Sequence, residues 1–259
     1  MECFTPVALV KAASLHGGIV AAVPPQQTDS LGYLAHMIYD LPMTNLRGAV
    51  VLVVGATGGL GSRIAAQLEN NGAIVARSSK SAGHDLRAPA VIREVLDATN
   101  AQHGRLDGLV VASGVVAFGA AADLSTATVD ELFAVNTTSA IQLITQSEPY
   151  LAASARDGRS PFVITLSGVV AETPVAGLAA YSASKAALAA FVVAAAREYR
   201  RAGIRIVDAR PGHTATALSE HPIAGSAPRF AAALDPDLVA ARIITAIVEG
   251  EKDLPSTAF

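Results

Sequence analysis

The sequence has little of what disulfide-linked, metal-binding or nucleic-acid-binding proteins need. Cys3 is its only cysteine, which excludes an intrachain disulfide and a thiolate zinc cluster and fits a reducing cytoplasm. The six histidines have no metal-ligand spacing, so we expect no metal site. Basic residues form no block, and a net charge of −3 with a pI near 6.1 predicts no nucleic-acid partner.

Long uninterrupted apolar runs are also missing from the sequence. A helix that crosses a bilayer needs about 20 predominantly apolar residues. The first apolar stretch, PVALVKAASL, follows Glu2 and is interrupted by Lys11, and the run over residues 187–196 is far shorter. We therefore expect neither an export segment nor a membrane span, and a soluble chain.

A glycine-rich turn follows directly after an apolar run. Residues 49–54 are all apolar, as expected for a parallel strand that is buried on both faces. Gly55, Gly59 and Gly61 come next, and their missing Cβ atoms allow a tight turn that approaches a pyrophosphate at a helix N-terminus. Taken alone, this turn is also compatible with an ordinary loop between a strand and a helix.

A tyrosine and a lysine lie one helical turn apart in the second half of the chain. Tyr181 and Lys185, in the segment YSASK, have the i, i+4 spacing that places two side chains on one helix face. A nearby ammonium group favours the phenolate, so the spacing predicts an acid–base pair. Together with the glycine turn, this pair makes the ordinary-loop interpretation much less favourable.

These motifs, in this order, resemble the short-chain dehydrogenase/reductase family from about Arg47 to the C-terminus. Further landmarks of the resemblance are Asp85-Leu86 after the family's third strand, Ala112-Ser113-Gly114 in place of Asn-Ala-Gly, Asn136, and Pro211-Gly212. The predicted fold is α/β, a single-domain, doubly wound parallel sheet of the Rossmann type over residues 47–259. Strands two, four, five and six are predicted in AIVARS, LDGLVVASG, SPFVITLSG and GIRIVDARPG.

Residues 1–46 form an N-terminal extension that has no role to import from the family. Thr5 and Pro6 predict the start of a short helix. A second short helix is predicted from Ser30, since apolar residues recur there with helical spacing at Leu31, Leu34, Ala35 and Ile38. We favour packing or subunit contact for this extension over a role as a substrate lid.

The resemblance also implies roles for individual residues. Tyr181 is the expected general acid or base, Lys185 holds the nicotinamide ribose, and Asn136 holds a water that relays protons to solvent. The residues expected to bind the cofactor, besides Tyr181 and Lys185, are Gly55, Thr57, Gly58, Gly59, Leu60, Gly61, Arg77, Ser78, Ser79, Asp85, Leu86, Ala112, Ser113, Gly114, Pro211, Gly212, Thr214 and Thr216.

One position departs from the family pattern. The serine expected thirteen residues before the tyrosine is Gly168 in this chain, and Ser167 stands next to it. Adjacent side chains on a strand point to opposite sides, so Ser167 replaces the missing hydroxyl only if the backbone twists, which Gly168 permits. Ser113 or Thr173 could supply the hydroxyl instead, or the site has lost carbonyl chemistry.

The predicted function is hydride transfer between a nicotinamide cofactor and a ketone or secondary alcohol that is mostly apolar and lies beneath residues 217–232. The alternative is an impaired or non-catalytic dinucleotide-binding protein or sensor of the same fold. NADP(H) is preferred, with NAD(H) possible, because Ser79 stands where NAD users carry an aspartate. Arg77, Ser78 and Lys80 lie nearby for the 2′-phosphate. By resemblance we also expect a homo-oligomer, a tetramer or dimer, and the single cysteine favours the cytoplasm.

Overall fold

Five parallel strands form the centre of the molecule. The computed structural model describes residues 43–230 and 232–259. Its strands are β1 Val50–Val54, β2 Ile74–Ser78, β3 Gly108–Val111, β4 Phe162–Leu166 and β5 Arg205–Ala209. Their spatial order is β2-β1-β3-β4-β5. The chain therefore changes its direction across the sheet after β2, and ligands of such sheets bind at the carboxyl ends of the strands beside this switch point.

Helices connect the strands. The α-helices are α1 Gly59–Asn70, α2 Pro89–His103, α3 Thr126–Phe133, α4 Ser139–Arg156, α5 Ala179–Tyr199 and α6 Pro236–Glu249. A π-helical turn, Ala134–Thr138, joins α3 to α4. Short 3-10 helices lie at Lys80–Ala82, Ala121–Asp123, Val169–Ala171, Arg200–Ala202, Ala217–Glu220 and Ser256–Ala258.

The helices cover both faces of the sheet. Val51 and Val53 of β1 pack into a core that includes α1 and α6. Leu52 and Val54 pack on the other face, into a core that includes α2, α4 and α5. Side chains alternate between the faces of a strand, so β1 must be apolar at every position to be covered on both sides. The prediction of a doubly wound parallel sheet is confirmed.

One predicted landmark is missing from the sheet. Asp85 was expected to follow the family's third strand, but residues 79–88 form only the 3-10 helix Lys80–Ala82 and irregular turns. These residues are too few for a crossover to a new parallel strand, which takes about a dozen residues before the strand itself. The segments predicted as strands four, five and six are therefore β3, β4 and β5. In the described part of the chain β2 is an edge strand, and Ile74 on it is 45% exposed.

The folded body begins upstream of the predicted boundary at Arg47. The amide of Thr44 donates to the Val248 carbonyl at 3.0 Å, and Leu46 is buried in the core with α1 and α6. The two short helices predicted in the extension lie in residues 1–42, outside the described residues.

Helix α5 is long and rich in alanine. With the turn that follows, Ala179–Ala202, it is the only helix among the described residues whose length and composition would allow it to cross a membrane. It packs against β5 and α4, and Ser184 and Lys185 on it are buried. These contacts are those of a core helix in an α/β sheet.

Candidate active site

The predicted site residues gather at the carboxyl edge of the sheet. The glycine turn follows β1, residues 112–114 follow β3, Ser167 follows β4 and Pro211 comes two residues after β5 ends. Parallel strands bring all these segments to the same edge. The site is therefore assembled from four connections that are far apart in the chain.

Glycine is required at two close approaches in the turn after β1. A Cβ on Gly61 would lie 2.2 Å from the Gly55 carbonyl oxygen, and a Cβ on Gly55 would lie 2.6 Å from the amide nitrogen of Ser113. Gly55 also has a φ of +81°, which disfavours other residues. Within the described residues no side chain caps α1, so the amides of its first turn face the site and can bind an anion.

The segment after β5 crosses over this glycine turn. A Cβ on Gly59 would lie 2.5 Å from the Cβ of Thr216, so Thr216 packs directly on the turn. The Thr214 hydroxyl donates to the Gly212 carbonyl at 3.0 Å, and the Pro211 carbonyl accepts from the amide of Val169 at 2.9 Å. The predicted cofactor segments on β1 and β5 are thus brought together.

Ser113 supports the fit of a dinucleotide to this edge. Its hydroxyl oxygen is buried and has no hydrogen-bond partner among the described residues, although its amide lies against the glycine turn. A buried hydroxyl without a partner costs free energy, which a polar ligand atom beside it would recover. The glycine cradle, the uncapped helix and this hydroxyl together suit a bound pyrophosphate and ribose.

Tyr181 and Lys185 lie on one face of α5, at the start of the helix. The ammonium nitrogen of Lys185 is 5.9 Å from the centre of the Tyr181 ring and donates to the Leu166 carbonyl at 2.7 Å. The lysine side chain is almost fully buried. The end of β4 therefore holds the ammonium group beneath the tyrosine ring.

Burial shifts the pKa values of both groups. It raises the pKa of the Tyr181 phenol to about 12. It lowers the pKa of Lys185 to about 8, and the carboxylate of Asp208 acts in the opposite direction. Desolvation disfavours the charged form of each group, which explains the two signs. The protein alone therefore keeps Tyr181 protonated at neutral pH. The lowered Tyr181 pKa that the sequence predicts requires further positive charge near the phenol.

Asn136 lies in the π-helical turn and is buried. Its side chain accepts from the Val115 amide and donates to the Val115 carbonyl, both at 2.9 Å, and donates to the Ser184 hydroxyl at 3.1 Å. A Cβ on Gly114 would lie 3.2 Å from its Oδ1 and 3.4 Å from the Lys185 ammonium. Asn136, Gly114 and Lys185 therefore converge, and π-helical turns are frequent at functional sites.

Ser167 is not brought to the substrate side of this site. Its side chain is buried, its hydroxyl donates to the Asp208 carboxylate, and its amide donates to the same carboxylate at 3.2 Å. Gly168 has the dihedrals φ +76° and ψ 167°, so the twist that the sequence allowed does occur. That twist leaves the Ser167 hydroxyl bound to Asp208, a partner the sequence analysis did not identify.

The space beside Tyr181 is apolar. The neighbouring buried cluster contains Val116, Phe118 and Leu178, with Phe230 packed against it. The imidazole of His213 stacks on Phe230 with ring centres 3.8 Å apart, and burial lowers its pKa. Phe230 lies within the predicted cover over residues 217–232, where it is the only aromatic residue.

The edge of the site beyond β2 is rich in hydroxyl groups. The Ser79 and Ser81 hydroxyls are 2.9 Å apart, and Thr57 lies 3.4 Å from Ser81. The Ser78 hydroxyl binds the His84 ring at 3.0 Å. Neither Ser78 nor Ser79, at the end of β2, is acidic.

Two charged residues predicted at this end of the site have protein partners. Arg77 pairs with Glu69 through its two terminal guanidinium nitrogens, and the Nη2 contact is 3.0 Å long. Asp85 binds Arg87, with one contact at 2.9 Å, and this pairing lowers the pKa of its carboxyl to about 2. Leu86 is partly buried against the core with α2. A cofactor must compete with Glu69 for Arg77 and with Arg87 for Asp85.

Comparisons with known proteins agree with this geometry. A family model described as short chain dehydrogenase matches residues 76–224. An uncharacterized oxidoreductase of Methylorubrum extorquens is 32% identical over 195 residues, which cover 67% of this chain and 76% of that protein.

Two solved structures have the same fold. The short chain dehydrogenase from Burkholderia cenocepacia in complex with NADP is 25% identical, with a TM-score of 0.70 over 83% of this chain and 99% of that one. The 3-ketoacyl-(acyl-carrier-protein) reductase from Brucella melitensis complexed with NADH has a TM-score of 0.74 over 81% of this chain and 97% of that one, at 21% identity.

Proposed function

Since this chain belongs to the short-chain dehydrogenase/reductase family, we propose that it transfers a hydride between a nicotinamide cofactor and a ketone or secondary alcohol. The chain is an oxidoreductase of the short-chain type, and it uses NAD(H) or NADP(H). One observation carries the finer proposal. Tyr181 and the buried ammonium of Lys185 lie at the same sheet edge as the glycine turn.

Tyr181 is the proton donor for reduction. The nicotinamide, when bound, supplies or accepts the hydride. Negative charge develops on the carbonyl oxygen as a ketone is reduced, and the Tyr181 hydroxyl donates the proton that neutralises it. In the opposite direction the phenolate takes the proton from the alcohol. The raised pKa of Tyr181 keeps this proton in place at neutral pH, which suits reduction.

Lys185 and Asn136 support this proton transfer. An ammonium group has three donors, and the Leu166 carbonyl accepts one of them. The other two are available to ribose hydroxyls and to a water in the relay. The side chain of Asn136 is fixed by Val115 and Ser184. We propose that Asn136 holds this water, which links Lys185 to solvent.

The proposed substrate is mostly apolar. Val116, Phe118, Leu178 and Phe230 form an apolar cluster with Tyr181, and a ligand carbonyl beside this cluster is proposed to accept from the phenol. Apolar side chains also exclude water, which strengthens the hydrogen bond to the phenol. Residues 217–232 are proposed to cover this side.

NADP(H) is the proposed cofactor of choice. Ser78 and Ser79 at the end of β2 offer hydroxyls where an aspartate would repel a 2′-phosphate. Lys80 adds positive charge beside them, whereas Arg77 must first leave Glu69. The hydroxyl cluster around Ser81 is therefore the main support for this preference.

We also propose a homo-oligomer in the cytoplasm. Helix α5 is apolar, yet Val193 on it is 54% exposed. A second copy of the chain that covers this side of α5 would bury Val193. The proposed compartment rests on the single cysteine of the sequence.

A second candidate function is a dinucleotide-binding sensor with impaired chemistry. The observation in its favour is the loss of the family's serine at Gly168 combined with the engagement of Ser167 by Asp208. The three residues Tyr181, Lys185 and Asn136 favour the enzyme.

A panel of ketones and secondary alcohols tests the proposal. Turnover is followed by nicotinamide absorbance with NADPH, NADH and their oxidised forms, and cofactor binding is titrated separately. The enzyme is expected to turn over apolar ketones at a rate that falls in Tyr181→Phe. Tight cofactor binding without any turnover across the panel would favour the sensor and contradict the enzyme.

A further inference from the structure

A buried carboxylate lies at the end of β5, beneath the site. Asp208 is only 3% exposed and pairs in register with Thr165 of β4. Its carboxylate accepts from the Thr165 hydroxyl at 2.6 Å, from the hydroxyl and amide of Ser167, and from Arg210 at 3.5 Å. Neither the proposed proton transfer nor the proposed cofactor contacts involve this residue.

The partners of Asp208 favour its ionised form. A backbone amide and a guanidinium can only donate hydrogen bonds, so Ser167 and Arg210 require an acceptor. Burial is the largest effect and leaves the pKa of the carboxyl above its usual value, although the two hydroxyls, Arg210 and Lys185 act to lower it. Four donors directed at one carboxylate stabilise the charge in spite of the burial.

The charge of Arg210 is largely shared with other carboxylates. Its guanidinium pairs with Glu172 and contacts Asp253 at 2.6 Å, and its distance to Asp208 is longer, 3.5 Å. Arg210 therefore neutralises Asp208 only in part. Lys185 is a buried cation whose pKa this carboxylate raises.

The end of β4 connects the two groups. Lys185 donates to the carbonyl of Leu166, and the residues before and after it, Thr165 and Ser167, both bind Asp208. No ion pair within 4.0 Å joins Lys185 to Asp208 in the described residues. Their coupling therefore acts through space and through this strand end.

We propose that Asp208 is the buried counter-charge of the Lys185 ammonium, and that it positions the strand end to which this ammonium binds. Its importance for turnover rests on the proposed function, but the coupling of charges does not. Besides Asp208, the titratable group that faces Lys185 is Tyr181 on its own helix; Arg210 and Glu172 lie behind Asp208. The same buried carboxylate explains why the Ser167 hydroxyl is bound within the protein.

Lysine titration by NMR tests the counter-charge directly. The chain has four lysines, Lys11, Lys80, Lys185 and Lys252, so protein labelled with 13C at lysine Cε gives few signals, and Lys185→Arg identifies the one of interest. Asp208→Asn keeps the size and an acceptor but removes the charge, and it should lower the pKa of Lys185 by about one unit. A titration curve that superimposes on the wild type would overturn the proposal.

The matched control is Ser167→Ala, which removes a hydrogen bond to Asp208 and leaves the charge. It should move the pKa of Lys185 by less than about 0.3 units, since the counter-charge remains. A shift as large as that of Asp208→Asn would mean that local packing, and not charge, sets the titration, and would contradict the proposal.

A reciprocal variant decides the question if Asp208→Asn does not fold. Coupling between two titrating groups is mutual, so Lys185→Met should raise the pKa of the Asp208 carboxyl, read from its 13Cγ shift, by a similar amount. An unchanged carboxyl titration would overturn the inference.

An activity measurement separates this inference from the proposed function. In Asp208→Asn the alkaline limb of the pH–rate profile for ketone reduction should move to lower pH by the same amount as the Lys185 titration. An NMR shift in a protein without carbonyl activity would leave the counter-charge standing and reject the enzyme. A shifted Lys185 titration beside an unmoved alkaline limb would reject the role of Asp208 in turnover.

Discussion

Gly168→Ser tests whether the family's serine can be restored at its usual position. Gly168 has φ +76° and ψ 167°, a region that almost only glycine populates. Space is not the obstacle, because a Cβ there would lie 3.6 Å from the Pro211 carbonyl oxygen, an ordinary van der Waals distance. The cost of the substitution is therefore backbone strain.

The expected loss of stability follows from that strain. A non-glycine residue in this region costs about 1–3 kcal/mol. At about 2–4 °C per kcal/mol for a domain of this size, a loss of about 2 kcal/mol lowers Tm by about 4–8 °C. The chain cannot relax freely, since the amides of Gly168 and Val169 donate to the Ala209 and Pro211 carbonyls.

Thermal unfolding by far-UV circular dichroism measures this loss. Gly168→Ala has the same strain without the hydroxyl, so the two variants should be destabilised alike, and their relative rates report on the hydroxyl alone. Gly83→Ala is the control at another positive φ, since Gly83 has φ +90° and ψ −1° and an added Cβ would meet no described atom within 4 Å. This variant should lose only about 1 kcal/mol of unfolding free energy. A Gly168→Ser protein as stable as the wild type would refute the argument.

Three further outcomes are expected from the site. Tyr181→Phe should lower kcat/KM by about 10²–10⁴-fold, the range of a lost general acid, while the cofactor Kd changes only a few-fold; a variant that keeps most of its rate would remove Tyr181 from the mechanism. Ser167→Ala should change the rate on an accepted ketone only a few-fold but lower the free energy of unfolding by about 1–3 kcal/mol, because a buried carboxylate loses a donor; a rate loss near 10²-fold with unchanged stability would restore Ser167 as the substrate's partner. Ser79→Asp should weaken NADPH binding by about tenfold or more in a fluorescence titration, about 1.4 kcal/mol, with Ser79→Ala as the uncharged control; equal affinities would contradict the proposed 2′-phosphate site.

Much of the fold could be predicted because its signals are local. The apolar run over residues 49–54 predicts a strand buried on both faces wherever it packs, and β1 occupies residues 50–54 of it. β3, β4 and β5 also lie within segments that the sequence predicts as strands. The sequence did not predict the absence of the third strand. Asp85 matches the family motif, and only the short connection between β2 and α2 excludes a strand there.

The arrangement of candidate site residues could be predicted only where one element carries them. Tyr181 and Lys185 lie on one face of α5 because four residues make about one helical turn, so their spacing was sufficient. The glycines after β1 also act within one turn. Their meeting with Thr216 depends on a segment that follows β5.

Only the tertiary structure decided the partner of Ser167 and the protonation of the site. Ser167 and Asp208 lie forty-one residues apart, and their contact depends on the register of β4 against β5, in which Thr165 faces Asp208. No local pattern encodes that register. The pKa of Tyr181 likewise depends on burial by residues from several elements, so the sequence predicted a lowering by the nearby ammonium but not the raising that burial causes.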